Sequence, residues 1–110
     1  MTPDEFRKVA LSFPEAEERS HMNHPDFRVG GKIFATLSPD LTSGMAKLTP
    51  EQQAELMLRF PAIFKPAAGK WGEGGATLIT LADANAELAG EALTLAWQNT
   101  SSKKRSAPKA

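Results

Sequence analysis

Apolar residues recur with helical spacing at the start of the chain. Phe6, Val9, Ala10 and Phe13 stand at i, i+3, i+4 and i+7, one face of a helix. Thr2 fits the N-cap, Pro3 the first helical position, and Glu5 completes a T-x-x-E capping box. Pro14 ends the run, because the residue before a proline is steered out of the helical region. Residues 15–24 hold few large apolar side chains and read as an edge strand followed by a loop, broken at Pro25. Then "FRVGGKIFATL" (27–37) switches to alternation. Phe27 and Val29 flank Arg28, and Ile33, Ala35 and Leu37 alternate with Phe34 and Thr36. Gly30-Gly31 between them predicts a tight hairpin, since such turns demand positive φ. "SPDLTSG" reads as a loop and "MAKL" (45–48) as a short fourth strand.

The helix-start grammar returns in "TPEQQAELMLRF": Thr49 as cap, Pro50 at the first position, Gln52 closing the box. Ala54, Met57 and Leu58 form its stripe and Pro61 stops it. "AIF" before Pro66 predicts a brief strand, "AAGKWGEGG" (67–75) a loop around Trp71, and "ATLITL" a clear strand. Asp83 is placed to cap a last helix with an apolar face of Leu88, Ala89, Ala92, Leu95 and Ala96, widened by Leu93 and Trp97. Residues 101–110 are small, polar and basic, the composition of a disordered tail. The predicted order is α-β-β-β-β-α-(β)-β-α. It describes one α+β domain over residues 1–100, an antiparallel sheet with helices packed on one face. Phe6, Val9, Phe13, Leu88, Ala92 and Leu95 are expected to form one core against it.

Composition narrows the chemistry. A chain of 110 residues suits a single domain. It has no cysteine, which removes disulfides, thiol catalysis and thiolate metal sites. No window is apolar enough for a membrane span, and the acidic start is unlike a signal peptide, so a soluble, cytoplasmic protein without membrane contact is expected. The net charge of zero hides an asymmetry: Lys103, Lys104, Arg105 and Lys109 lie near the C-terminus, and the other nine basic residues face all 13 acidic ones within positions 1–102. A body of that sign is not drawn to a polyanion by its overall field, so phosphate binding would need a local patch or the tail.

Candidate sites are few. His21, His24 and Asp26 form H-x-x-H-x-D, but positions three apart on a strand face opposite sides, and no third nitrogen or sulfur ligand follows. Loop hydrogen bonding or a surface position explains them better than zinc. No G-x-S-x-G elbow surrounds any serine, and "GKWGEGG" lacks the G-K-[ST] ending of a phosphate loop and runs into a strand. The expectation is a protein without enzymatic activity, metal or cofactor. Trp71 either folds back onto the core, as large aromatics do on average, or stands exposed as a stacking group beside Lys70. Arg28, Lys32, Lys47, Lys65 and Lys70 lie on or near strands and turns. They form a patch if they share the uncovered sheet face, and a solvated mixed-charge surface if they do not.

Three segments in order, "HPDFRVGGKIFATL", "LTPEQQAEL" and "FKPAAGKWGEGGATLITLADANAELAGEALTLAW", resemble the MmcQ/YjbR family across about positions 3–100. The resemblance implies an α+β fold of the CyaY-like or secretion-chaperone-like kind. It also implies DNA binding through a double wing of hairpins. One wing would be Phe27–Leu37, with Arg28 and Lys32 near its tip. The other would run from Lys65 to Leu81, with Lys70 and Trp71 in its loop and Lys47 in support. Glu73 in that loop and the net acidic body depart from a strong binder. Two functions stay open: a weak, largely non-specific DNA-binding protein gripping phosphates, or a small chaperone-like module presenting its open sheet face to a protein partner.

Overall fold

In the computed structural model, which describes residues 1–21 and 23–106, both capping boxes form. The Thr2 hydroxyl accepts from the Glu5 amide at 3.1 Å while the Glu5 carboxylate accepts from the Thr2 amide at 2.8 Å, starting α1 (Pro3–Leu11). Thr49 and Gln52 repeat the exchange at 3.1 and 3.0 Å and start α2 (Pro50–Arg59). Between them lie β1 (Glu17–His21), β2 (His24–Val29), β3 (Lys32–Leu37) and β4 (Ser43–Lys47). After α2 come β5 (Phe64–Pro66), α3 (Gly69–Glu73), β6 (Ala76–Thr80), a 3-10 turn at Leu81–Asp83 and α4 (Ala86–Ser106). The six strands form one antiparallel sheet in the order β1-β2-β3-β4-β6-β5. The fold is α+β, as the patterning predicts. No helix among the described residues is long and apolar enough to cross a membrane.

One face of the sheet carries the core. Phe6 meets Phe27 edge-on at 6.0 Å, Phe13 meets Phe34 at 6.2 Å, and Phe60 of the α2 C-terminus meets Phe64 at 6.2 Å. These contacts put α1 and α2 on one side, where α4 packs against α1 and across β3 and β4. The centre of the α4 face is Ala89, Ala92, Leu93 and Ala96, all fully buried, with Leu88 and Leu95 on its flanks. The expected core is therefore right in its partners and rotated by about one position on this helix. Trp97 stacks on Phe13 at 6.1 Å and donates from Nε1 to the Pro14 carbonyl at 3.1 Å, tying the end of α1 to α4.

Several local expectations are corrected by tertiary context. Pro25 does not break the sheet; it lies within β2 opposite Ser20. It is next to the pair His21–His24 that closes the hairpin, so alternation turns its missing donor away from β1, and the β2–β3 pairing begins only at Asp26–Thr36. The strand alternation in β3 is reset by a bulge: Phe27 pairs with Ala35 but Arg28 pairs with Ile33, leaving Phe34 as the extra residue. Phe34 and Ala35 thereby both reach the core, and Ile33 joins Arg28 on the other face. The glycine-rich segment holds a short helix, α3, where only a loop was expected. Asn85, not Asp83, caps α4, with its side-chain oxygen accepting from the Leu88 amide at 2.9 Å, because Asp83 is taken up by the 3-10 turn. The expected tail from residue 101 begins as helix through Ser106, with Thr100 and Ser101 buried; basic residues suit a helix C-terminus, where the partial charge is negative. Residues 107–110 lie outside the described part.

The Gly-Gly hairpin forms as predicted, with φ of 61° at Gly30 and 82° at Gly31. A Cβ at Gly31 would meet nothing within 4 Å, so substitution there tests backbone conformation alone. Gly31→Val is expected to cost about 1–2 kcal/mol, and Gly31→Asn clearly less, because asparagine tolerates the left-handed region. Equal urea midpoints for the two variants would show that φ is not what the turn demands.

Candidate nucleic-acid interface

Strand directions decide which candidates can act together. β4 ends at Lys47, opposite Ala76 at the start of β6. The β5–β6 connection therefore lies at the Lys47 end, closed by the Ala67 amide donating to the Ala76 carbonyl at 2.9 Å. Antiparallel pairing of β3 with β4 brings Lys32 and the Gly30-Gly31 turn to that same end. The two connections expected to be wings thus project from one end of the sheet, with Lys47 between them.

The second connection is firmly mounted. A Cβ at Gly72 would collide with the Ala67 backbone, and one at Gly75 with the Leu48 carbonyl. The Gln53 side-chain amide donates to the carbonyls of Gly72 and Ala76 at 3.1 and 3.0 Å, bracing α3 against α2. Lys70 is exposed on this mount, and so is Trp71, at 54%. The reading in which Trp71 folds onto the core is overturned. The inward position of α3 is Gly72, pressed against the Ala67 backbone, so the neighbouring indole is turned to solvent.

Register also assigns faces. Arg28, Lys47 and Lys65 lie on the face without helices, since Arg28 follows Asp26, Lys47 follows Met45, and Lys65 pairs with Leu78 across from Met45. Lys32 pairs with Val29 and belongs to the opposite face. The helix-free face is no broad apolar surface: Met45 is 2% exposed, Thr36 7%, and Asp26 fully buried.

Arg28 differs from the lysines. Its Nε and Nη2 donate to the two Asp26 oxygens at 2.8 and 3.1 Å, a bidentate pair. That hydrogen bond raises the Arg28 pKa above the usual arginine value, with the charges of Asp26 and Glu17 adding and desolvation opposing. The guanidinium is committed to the fold. Arg7 pairs with Asp4 and Glu18, Arg19 with Glu17, and Arg59 with Glu91, in more exposed settings. Among the described residues, no ion pair uses Lys32, Lys47, Lys65 or Lys70. Among the described residues, Arg7, Arg19, Arg28 and Arg59 are ion-paired and these four lysines are not.

Four lysines gather at one end of the strand axis, while acidic residues occupy both ends. The end opposite the wings holds Asp40, Asp83 and the α1 N-terminus with Asp4 and Glu5; the Met1 amine donates to the Leu81 carbonyl there at 2.7 Å. Hydrogen bonds from the Ser38 and Thr42 hydroxyls hold the Asp40 carboxyl below its ordinary range. The wing end holds the four lysines. Its acids lie toward β1, at Glu15, Glu17 and Glu18, and on α2 and α3 at Glu51 and Glu73. α4 runs toward the wing end, where Asn99 Nδ2 donates to the Lys47 carbonyl at 3.2 Å, and its backbone continues through Lys103, Lys104 and Arg105.

His21 and His24 are not on opposite sides of one strand; the hairpin makes them cross-strand partners. Among the described residues no group of three or more His, Asp or Glu residues is placed to hold a metal ion. The Asp26–Arg28 pair and the shared end of the two connections were not read from the sequence. An i, i+2 acid–base pair on a strand was the available signal for the first.

The family model described as YjbR matches residues 11–99. Among solved structures, the crystal structure of Deinococcus radiodurans protein DR2400, with family-model domain DUF419, matches with a TM-score of 0.76 at 25% identity. That match covers 94% of this chain and 80% of the other. No curated protein sequence matches.

Proposed function

The chain belongs to the YjbR family, and from that premise we propose that it binds DNA weakly and with little sequence preference, by phosphate contacts at the wing end of its sheet. The observation that supports this reading is the gathering of Lys32, Lys47, Lys65 and Lys70, none of them in an ion pair among the described residues, at the end from which both connections project. The backbone of α4 continues through residues 103–105 beyond Asn99, which bonds the Lys47 carbonyl, so the basic C-terminal residues are a second source of phosphate contacts. Lysines on strands and turns present point charges to a backbone and carry no base code. Acidic residues at the same end keep the net field small. Affinity for duplex DNA is therefore expected in the non-specific range of about 10⁻⁴–10⁻⁶ M at physiological salt.

Two charge-removal variants divide the contribution. Lys47→Ala/Lys65→Ala/Lys70→Ala is expected to weaken binding uniformly across DNA sequences, and replacing Lys103, Lys104, Arg105 and Lys109 by Gln to weaken it in part. Arg28→Ala is expected to lower the melting temperature more than it lowers affinity, since it leaves Asp26 buried without its guanidinium. If the lysine variant binds normally and the C-terminal variant not at all, the sheet end is not the site. If the unaltered chain binds no DNA at low salt, the nucleic-acid reading falls, and a protein partner at the open sheet face takes its place.

A further inference from the structure

We propose that the preferred ligand of the wing end is single-stranded nucleic acid, with an unpaired base stacked on Trp71. The inference rests on the phosphate-binding reading above and adds the ligand class. The chain has eight aromatic residues. Seven of them, Phe6, Phe13, Phe27, Phe34, Phe60, Phe64 and Trp97, meet one another ring to ring within the fold. Trp71 makes no such contact among the described residues and leaves 54% of its surface in water.

An exposed indole on a mobile loop would be unremarked, but this one sits on α3, braced by Gln53 and by the close backbone contacts of Gly72 and Gly75. A ring held in place loses little freedom when a ligand stacks on it. Lys70 precedes it in the chain, and Lys47 and Lys65 lie on the two strands that pair with β6, at the end of the sheet where α3 turns. An exposed aromatic platform with cations at the same end of the sheet is the arrangement that tracks a single strand, where every base offers a π-face and every nucleotide a phosphate. In a duplex the base faces are hidden in the stack, so Trp71 has nothing to meet and only the lysines act. Stacking is indifferent to base identity, in keeping with a site that has no base-edge code.

The test compares oligo(dT) with a duplex of equal length at matched salt, using the Trp97→Phe background so that indole emission reports Trp71 alone. Oligo(dT) is expected to bind more tightly than duplex and to quench that emission. Trp71→Ala should lower oligo(dT) affinity by roughly 5- to 150-fold while leaving duplex affinity within about twofold, and Trp71→Phe should retain most of the difference. Duplex binding with no advantage for oligo(dT) and unchanged emission would overturn the stacking inference and leave the phosphate site standing. Loss of binding to both ligands in the Trp97→Phe chain at low salt, reproduced in the unaltered chain, would remove the phosphate site and this inference with it.

Discussion

Phe6→Ala is expected to lower the stability of the domain by about 3–5 kcal/mol. Phe6 is fully buried and packs edge-on against Phe27 at 6.0 Å. It also fills the space that a side chain at position 44 would need: a Cβ built on Gly44 would come within 2.5 Å of the Phe6 ring. The ring therefore sits directly on the sheet backbone, and position 44 offers no side chain to fill the void its loss would leave. The variant should therefore fall toward the upper part of that range. Domains of this kind hold only about 5–15 kcal/mol in all, so the variant should be close to unfolded at moderate temperature. A urea titration reads the effect as a lowered midpoint at unchanged slope. A loss below about 1 kcal/mol would mean that α1 does not cover β2 and β4 as described.

Gly75→Ala is the second large effect, and it strikes the candidate interface. Gly75 has φ of 116°, a region L-residues rarely enter, and a Cβ there would collide with the Leu48 carbonyl and the Thr49 backbone. Neither obstacle is a flexible side-chain end. Strain at such a φ costs on the order of 1–3 kcal/mol and overpacking a similar amount. The cost should exceed that of Gly31→Ala, where conformation alone is at stake. Relief requires the β5–β6 connection to move away from the β4–α2 junction, which would displace Lys70 and Trp71 from Lys47. Any Gly75→Ala protein that remains folded should therefore bind nucleic acid less well than Gly31→Ala protein at equal folded fraction. Equal affinity would show that the mount does not set the site.

What was legible in the sequence was local. The boxes Thr2–Glu5 and Thr49–Gln52 involve residues three apart, and Gly30-Gly31 specifies its turn through its own φ preferences. What was hidden depended on partners far along the chain. The β3 bulge is a property of its pairing with β2, and it moves Phe34 into the core against simple alternation. Pro25 is tolerated because of where its strand's ladder begins. α3 is held by Gln53 from a different helix, overriding a glycine content that reads as loop. The candidate residues Arg28, Lys32, Lys47, Lys65, Lys70 and Trp71 could be named from the sequence, but not their division of labour. Only the folded structure separates an arginine locked to Asp26 from lysines that are in no ion pair among the described residues, and only the strand order brings both connections to one end.

The dependence of DNA affinity on salt tests the central claim most directly. Binding of a labelled duplex is followed across sodium chloride concentrations for the unaltered chain and for Lys47→Ala/Lys65→Ala/Lys70→Ala. Each phosphate neutralised contributes about 0.9 to the magnitude of the log–log slope, so the triple variant should show a slope smaller by roughly 2–3, whatever the DNA sequence. An unchanged slope in the folded triple variant would place the phosphate contacts elsewhere and contradict the account.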